Sequence, residues 1–228
     1  MNEILTGFLR AIELMASLDP EFIDITARTL MISVSSTVLA SLIAVPVAAM
    51  IDLREFRGKR AILNIIQTLY SLPTVLVGLF VFLLISRSGP LGPLNLLFTP
   101  AGMILGQTIL ILPLVTGFSI TALRSVKPEL RDLARSLGAT EFQVMLKVLE
   151  EARYAVMAAI ILGFGRAISE VGVAIMLGGN VRGFTRVITT AISLETSRGN
   201  LELSIALGII LLIISLAVNT LLNHFQEK

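Results

Sequence analysis

Residues 163–172 read GFGRAISEVG, and the reading of this stretch decides the fold. Arg166 and Glu170 interrupt a run, 154–177, that is otherwise apolar for the length of a membrane crossing. Either the run is not a spanning helix or the two charges are there for a purpose. At the bilayer centre an unpaired charge costs about 2.5–3.5 kcal/mol on insertion scales, so charges persist there when paired and turned toward protein. Arg166 and Glu170 are four residues apart, the spacing that puts two side chains on one helix face. The stretch therefore reads as a spanning helix that carries an ion pair inward. That pair either fixes helix packing or lies beside a path whose gate exchanges its partners.

Composition agrees with a membrane setting. Of 228 residues, 55% are hydrophobic and 15% charged, and the mean hydropathy of +0.88 is far from that of a soluble domain. Eighteen basic and 16 acidic residues nearly cancel, which excludes a polyanion-binding surface and a nucleic-acid partner. With no cysteine and one histidine, His224, the chain offers no thiol nucleophile, disulfide or Cys/His metal cluster. No metal site and no cofactor are expected.

Working outward, a spanning helix needs about 20 largely apolar residues. Five stretches qualify, 28–51, 61–85, 101–123, 154–177 and 202–222, within one all-α membrane domain over residues 1–228. Pro46, Pro73 and Pro113 lie in the first three, and Gly163, Gly165 and Gly172 in the fourth. Each proline removes a backbone donor and bends its helix, which only neighbouring protein or a water-lined cavity tolerates in lipid. GMILG at 102–106 and the ladder Ala159, Gly163, Ala167 are small-residue contact motifs. Residues 1–19 lack the basic start of a secretory signal. Ile4, Leu5, Phe8, Ile12 and Met15 recur there at helical spacing, as in an amphipathic helix on the membrane surface or a short extra span.

Basic residues are uneven along the chain. DLREFRGKR at 52–60 holds four and residues 124–153 hold six, whereas 86–100 has only Arg87. The positive-inside bias places both rich loops and the C-terminus in the cytoplasm and the N-terminus outside. The outside loop 178–201 still carries Arg182, Arg186 and Arg198.

Residues 127–154, KPELRDLARSLGATEFQVMLKVLEEARY, predict two short helices. Pro128 suits a first turn, and Leu130, Leu133, Ala134 and Leu137 form one apolar face. Gly138 supplies a left-handed stop. Thr140 with Gln143 makes a capping box for the second helix, where Phe142, Met145, Leu146 and Leu149 repeat the spacing. Such a hairpin either rests on the bilayer interface or docks another protein.

This segment resembles the signature loop of ABC-importer permeases, a Glu-Ala-Ala motif followed four residues later by glycine. The motif falls on Asp132, Leu133, Ala134 and Gly138, with Asp for Glu, Leu for the first Ala, and Glu150 where proline often follows. SLPTVLVGLFVFLLISRSGPLGPL at 71–94 and GFGRAISEVGVAIMLGGNVRGFTRVITTAIS at 163–193 are similar to molybdate, sulfate and tungstate permeases, and GRAISEVG is closest to the tungstate group. The resemblance covers about residues 26–222. It implies a type I importer fold with about five spans, an N-terminal amphipathic helix, and a cytoplasmic coupling helix gripped through Asp132, Leu133, Ala134, Leu137 and Gly138 by a separate ABC ATPase. It further implies a prokaryotic cytoplasmic membrane, a tetrahedral oxyanion as cargo, and an extracytoplasmic binding protein that chooses it.

The loop 178–201, with a helix expected over 185–194, and the loop 86–100 either dock that binding protein or are solvated connections. In the docking reading Arg182 and Arg186 face the medium. The chain has no G-x-x-x-x-G-K-[ST], so hydrolysis falls to a partner, and no H-E-x-x-H or G-x-S-x-G, so an intramembrane hydrolase is disfavoured. A proton-coupled secondary transporter using Glu170 is the other rival. Such folds pair two repeats in one chain, whereas five spans need a second copy to enclose a path, so a homodimer is expected.

Overall fold

Proline and side-chain caps mark where the longer helices begin. Pro20, Pro100 and Pro128 each start a helix, at the position where a missing N–H costs nothing. Asp19 accepts from the backbone N–H of Glu21 and Phe22, and Thr99 from that of Gly102. A computed structural model describes residues 2–17 and 19–226, with the side chains of 4–17 and 19–220, so His224 lies outside the described side chains. The helices run α1 (Asn2–Ser17), α2 (Pro20–Leu53), α3 (Lys59–Leu69), α4 (Thr74–Ile85), α5 (Pro100–Arg124), α6 (Pro128–Ser136), α7 (Glu141–Glu151), α8 (Arg153–Ile168), α9 (Gly172–Gly178), α10 (Ile188–Ser197) and α11 (Leu201–Gln226). A 3-10 turn spans Gly92–Leu94, and there is no strand among the described residues.

Three of the five expected spans are single long helices, and the other two fall on bent pairs of shorter helices. Helices α2, α5 and α11 are long and apolar enough to cross a membrane. The stretch expected as the second span is α3 and α4, bent by 101°, and that expected as the fourth is α8 and α9, bent by 59°; each pair is apolar enough to cross only if its two helices count as one span. Pro73 lies at the first break, because it cannot donate to a helix and disfavours helical geometry in Leu72 before it. Pro46 and Pro113, by contrast, lie inside continuous helices.

Helix α5 is the hub. It packs against α2, α8, α9 and α3. Gly106 lets α9 close in, since a Cβ there would lie 2.2 Å from Leu177 Cδ1. Gly163 does the same for α8, where a Cβ would come 2.5 Å from Val115 Cγ2. Both expected small-residue ladders are thus packing surfaces. One core cluster gathers Ile32, Val81, Met103, Ile111 and Leu177. A second gathers Ala48, Leu123, Val144, Val148 and Val156 beneath the α6–α7 hairpin.

Helix α1 packs on α11, with Ala11 and Leu14 buried against Ala206 and Ile210. Ile4, Leu5, Phe8 and Ile12 face away and are exposed. At about 1.5 Å per residue, the 16 residues of α1 fall short of a bilayer core about 30 Å thick.

Helix α2, 34 residues long, works as a ruler. Its first turn contacts the 178–201 loop through Glu21, and its last turn contacts α6 through Asp52. The hairpin and that loop therefore occupy opposite ends of the bundle. Phe98 N donates to Leu177 O at 2.8 Å, which brings the 86–100 loop to the same end as the 178–201 loop.

Candidate functional site

Three groups of side chains carry chemistry, one at each end of the bundle and one between. The hairpin forms as its sequence dictates. Thr140 and Gln143 make the reciprocal capping box of α7. Gly138 closes α6 with φ +84°, and no atom lies within 4 Å of where its Cβ would be. Leu130 and Ala134 pack toward the second core cluster. Leu133 and Leu137 do not: they are exposed, Leu137 at 80%, as are Phe142 and Leu146 of α7. The expected apolar faces are therefore split. Val144 and Val148, outside the expected α7 face, supply its buried side, while four large apolar side chains stay uncovered. Asp132 is exposed beside Arg135 at 3.5 Å. Arg135 also grips Glu141 at 2.9 Å, which bridges the two helices and holds the Glu141 carboxyl below its ordinary range.

Between the ends, Arg166 and Glu170 pair as expected, Nη1 to Oε2 at 2.7 Å. Glu170 does not stand in a helix, however: α8 stops at Ile168 and the carboxylate occupies the break before α9. Its Oε1 accepts from Val173 N at 3.0 Å, capping α9, and its carbonyl accepts from Thr189 Oγ1 at 2.8 Å. Glu170 is 2% exposed. A buried carboxylate with a partner on each oxygen costs little to keep, whereas the same group stripped of its cation would be expensive. Around it lie Thr29, Ser33, Gln107 and Thr189, a polar seam between α2, α5 and the break.

At the other end, Arg182 and Arg186 converge on Glu21. Arg182 Nε donates at 2.8 Å and Arg186 Nη1 lies at 3.5 Å. The expectation that both face the medium holds only for Arg182, whose side chain is 73% exposed; that of Arg186 is 14% exposed. Arg186 turns inward because Asn180 Oδ1 takes its Nε at 3.3 Å and Arg28 donates to its carbonyl at 3.0 Å. Asn180, at φ +52°, also exchanges hydrogen bonds with Thr190.

Sequence reasoning missed one cluster. Asp52, at the end of α2, is buried, with Arg131 of α6 at 2.7 Å and Arg124 of α5 at 3.5 Å. Its signal was one acid ending a long apolar helix before a basic loop. Among the described residues, no group of three or more acidic, histidine or cysteine side chains forms a metal site.

The family model of the binding-protein-dependent transport system inner membrane component matches residues 27–228. A probable anion ABC transporter permease of Haloferax volcanii is 44% identical over 90% of this chain and 91% of its own. The tungstate uptake permease TupB of Peptoclostridium acidaminophilum is 37% identical over 100% of both chains. Identity is lower, 29%, with the molybdenum permease ModB of Haemophilus influenzae over 90% of this chain and 94% of its own. Among solved structures, a bacterial alginate ABC transporter in complex with its pentasaccharide-bound periplasmic protein superposes with a TM-score of 0.77 at 21% identity, over 98% of this chain and 86% of that one.

Proposed function

The chain belongs to the binding-protein-dependent transport system inner membrane component family, and from that premise we propose that this ABC-importer permease carries tungstate. It is a multi-pass membrane transport subunit, not a catalyst. The observation that carries the reading is the α6–α7 hairpin, whose Leu133, Leu137, Phe142 and Leu146 stay uncovered although their neighbours pack inward. A patch of that kind at one end of a bundle is a docking surface. Its occupant is an ABC ATPase, which presses on Leu133 and Leu137 while Gly138 sets the bend and Asp132 and Ala134 complete the motif. Full-length likeness to a tungstate permease at 37% identity, above that to a molybdenum permease at 29%, supports tungstate over molybdate or sulfate.

The opposite end receives the substrate-binding protein, with Arg182 at the rim and Arg186 holding the loop in place. Two copies of the chain enclose the path, the basic loops face the cytoplasm, and the N-terminus lies outside. The Arg166–Glu170 pair borders the path at the break between α8 and α9, and changes partners as the path opens.

The test is reconstitution with the cognate ATPase and binding protein in liposomes. Tungstate uptake should require ATP, both partners, and an intact hairpin. Uptake driven by a proton gradient without ATP would overturn the reading in favour of a secondary transporter.

A further inference from the structure

Among the described residues, Asp52 is the only carboxylate within ion-pairing reach of Arg131, and it is buried where α2 ends, with 3% of its side chain exposed. Two arginines from different elements share it. Arg131 of α6 binds Oδ2 at 2.7 Å and also donates to the Leu123 carbonyl at 2.8 Å. Arg124, in the last turn of α5, approaches Oδ1 at 3.5 Å, in ion-pair range but beyond a charge-assisted hydrogen bond. Lys59 donates to the Asp52 carbonyl at 2.9 Å, which fixes the end of α2 itself. The carboxylate is thus tightly held by the element that must move and loosely attended by one that need not.

Arg131 directly precedes Asp132 and Leu133 of the coupling motif, so it bears any shift of α6 that a docked ATPase imposes. Its Nε is buried without a hydrogen-bond partner, so the guanidinium has bonding capacity the resting geometry leaves unused. A buried carboxylate cannot be left without a cation at tolerable cost. A hairpin pinned by that bond alone would therefore resist displacement. With Arg124 beside it, the charge stays paired while Arg131 leaves.

We propose that Asp52 is a positioning residue that exchanges Arg131 for Arg124 when the ATPase displaces α6, so that the hairpin alternates between two seated positions on the ends of α2 and α5. The inference rests on the ATP-driven reading above and adds the hinge through which the hairpin works. Both states keep one full-strength Arg–carboxylate contact, which is what a two-position element requires.

The experiment uses the reconstituted complex with ATPase and binding protein, and reads tungstate imported per ATP hydrolysed. Asp52→Asn should lower that ratio by roughly 5- to 150-fold, the usual span of coupling between sites, with the ATPase still bound. Because Asp52 is buried, Arg124→Gln is the second variant. Its side chain is 48% exposed, and its loss leaves the resting Asp52–Arg131 bond intact. It should lower the ratio by about 5-fold or more without weakening ATPase association, and Arg124→Lys should recover it. A purely structural Arg124 would change stability and leave the ratio alone. A wild-type ratio in Arg124→Gln overturns the exchange. Absence of ATP-driven tungstate uptake in the wild-type complex would instead remove the transport reading on which the exchange rests.

Discussion

At the scale of single residues, the decisive quantity is the cost of an unpaired buried charge. Arg166→Ala strands Glu170, which is 2% exposed, and should destabilise the protein by about 3–5 kcal/mol. The double variant Arg166→Ala with Glu170→Gln removes the stranded charge yet keeps an oxygen for Val173 N, so it should recover most of that loss. Thermal unfolding of the purified protein in detergent checks both; additive losses would deny the pairing. The i,i+4 spacing made this pair legible in the sequence, because neighbours that close meet whether the helix continues or ends between them. The break at Glu170 was not legible. Its carbonyl is satisfied by Thr189 Oγ1, 19 residues away, and no local pattern announces such a partner. Asp52 escaped for the same reason, since Arg131 lies 79 residues beyond it.

At the scale of elements, local chemistry was read well and facing surfaces less so. The capping box and the glycine stop of the hairpin depend on neighbours in sequence, and both formed. Which side of α7 is buried depends on α2, α5 and α8, and there Val144 and Val148 displaced Phe142 and Leu146. Gly138 holds φ +84° with open space around it, so its replacement is a matter of backbone strain alone. Gly138→Val should cost about 1–2 kcal/mol in the hairpin and weaken ATPase binding, while Gly138→Asn, which tolerates this conformation, should lose less; co-purification of the ATPase measures it. At Gly106 the constraint is space instead. Gly106→Ala drives a methyl group to 2.2 Å from Leu177 Cδ1, and such overpacking should cost about 1–3 kcal/mol and lower the melting temperature. The Arg135–Glu141 bridge adds a pH signature. Hydrogen bonding to Arg135 depresses the Glu141 carboxyl below 4.5. The bridge is therefore intact at neutral pH and is lost as pH falls through that depressed value, which proton NMR of the hairpin would follow.

For the whole molecule, the ends of α2 set relative sidedness, and the charge distribution predicts which side is which. Glu21 and Asp52 anchor opposite loops, so the hairpin and the 178–201 loop must face different compartments once α2 crosses the bilayer. By the positive-inside rule, the four basic residues of 52–60 and the six of 124–153 predict that the hairpin end faces the cytoplasm. The chain has no cysteine, so single replacements report sidedness cleanly. In sealed inside-out vesicles, Arg57→Cys and Ser136→Cys should react with an impermeant maleimide, while Ser88→Cys should react only after the vesicles are opened. The reverse pattern would invert the orientation and place the coupling motif out of reach of ATP. The transport path proposed above also predicts a second copy. Helix α3 buries none of its residues although Ile62 and Ile65 are apolar, and α4 leaves Phe80 and Leu83 exposed on the protein's own surface. Lipid can cover part of that surface. Under the proposed transport reading, lipid cannot supply the far wall of an aqueous path for an oxyanion, and a second copy is expected to supply it. Native mass spectrometry of the assembled transporter should therefore show two copies of this chain with their ATPase subunits, and an active complex with a single copy would leave the path without its second wall.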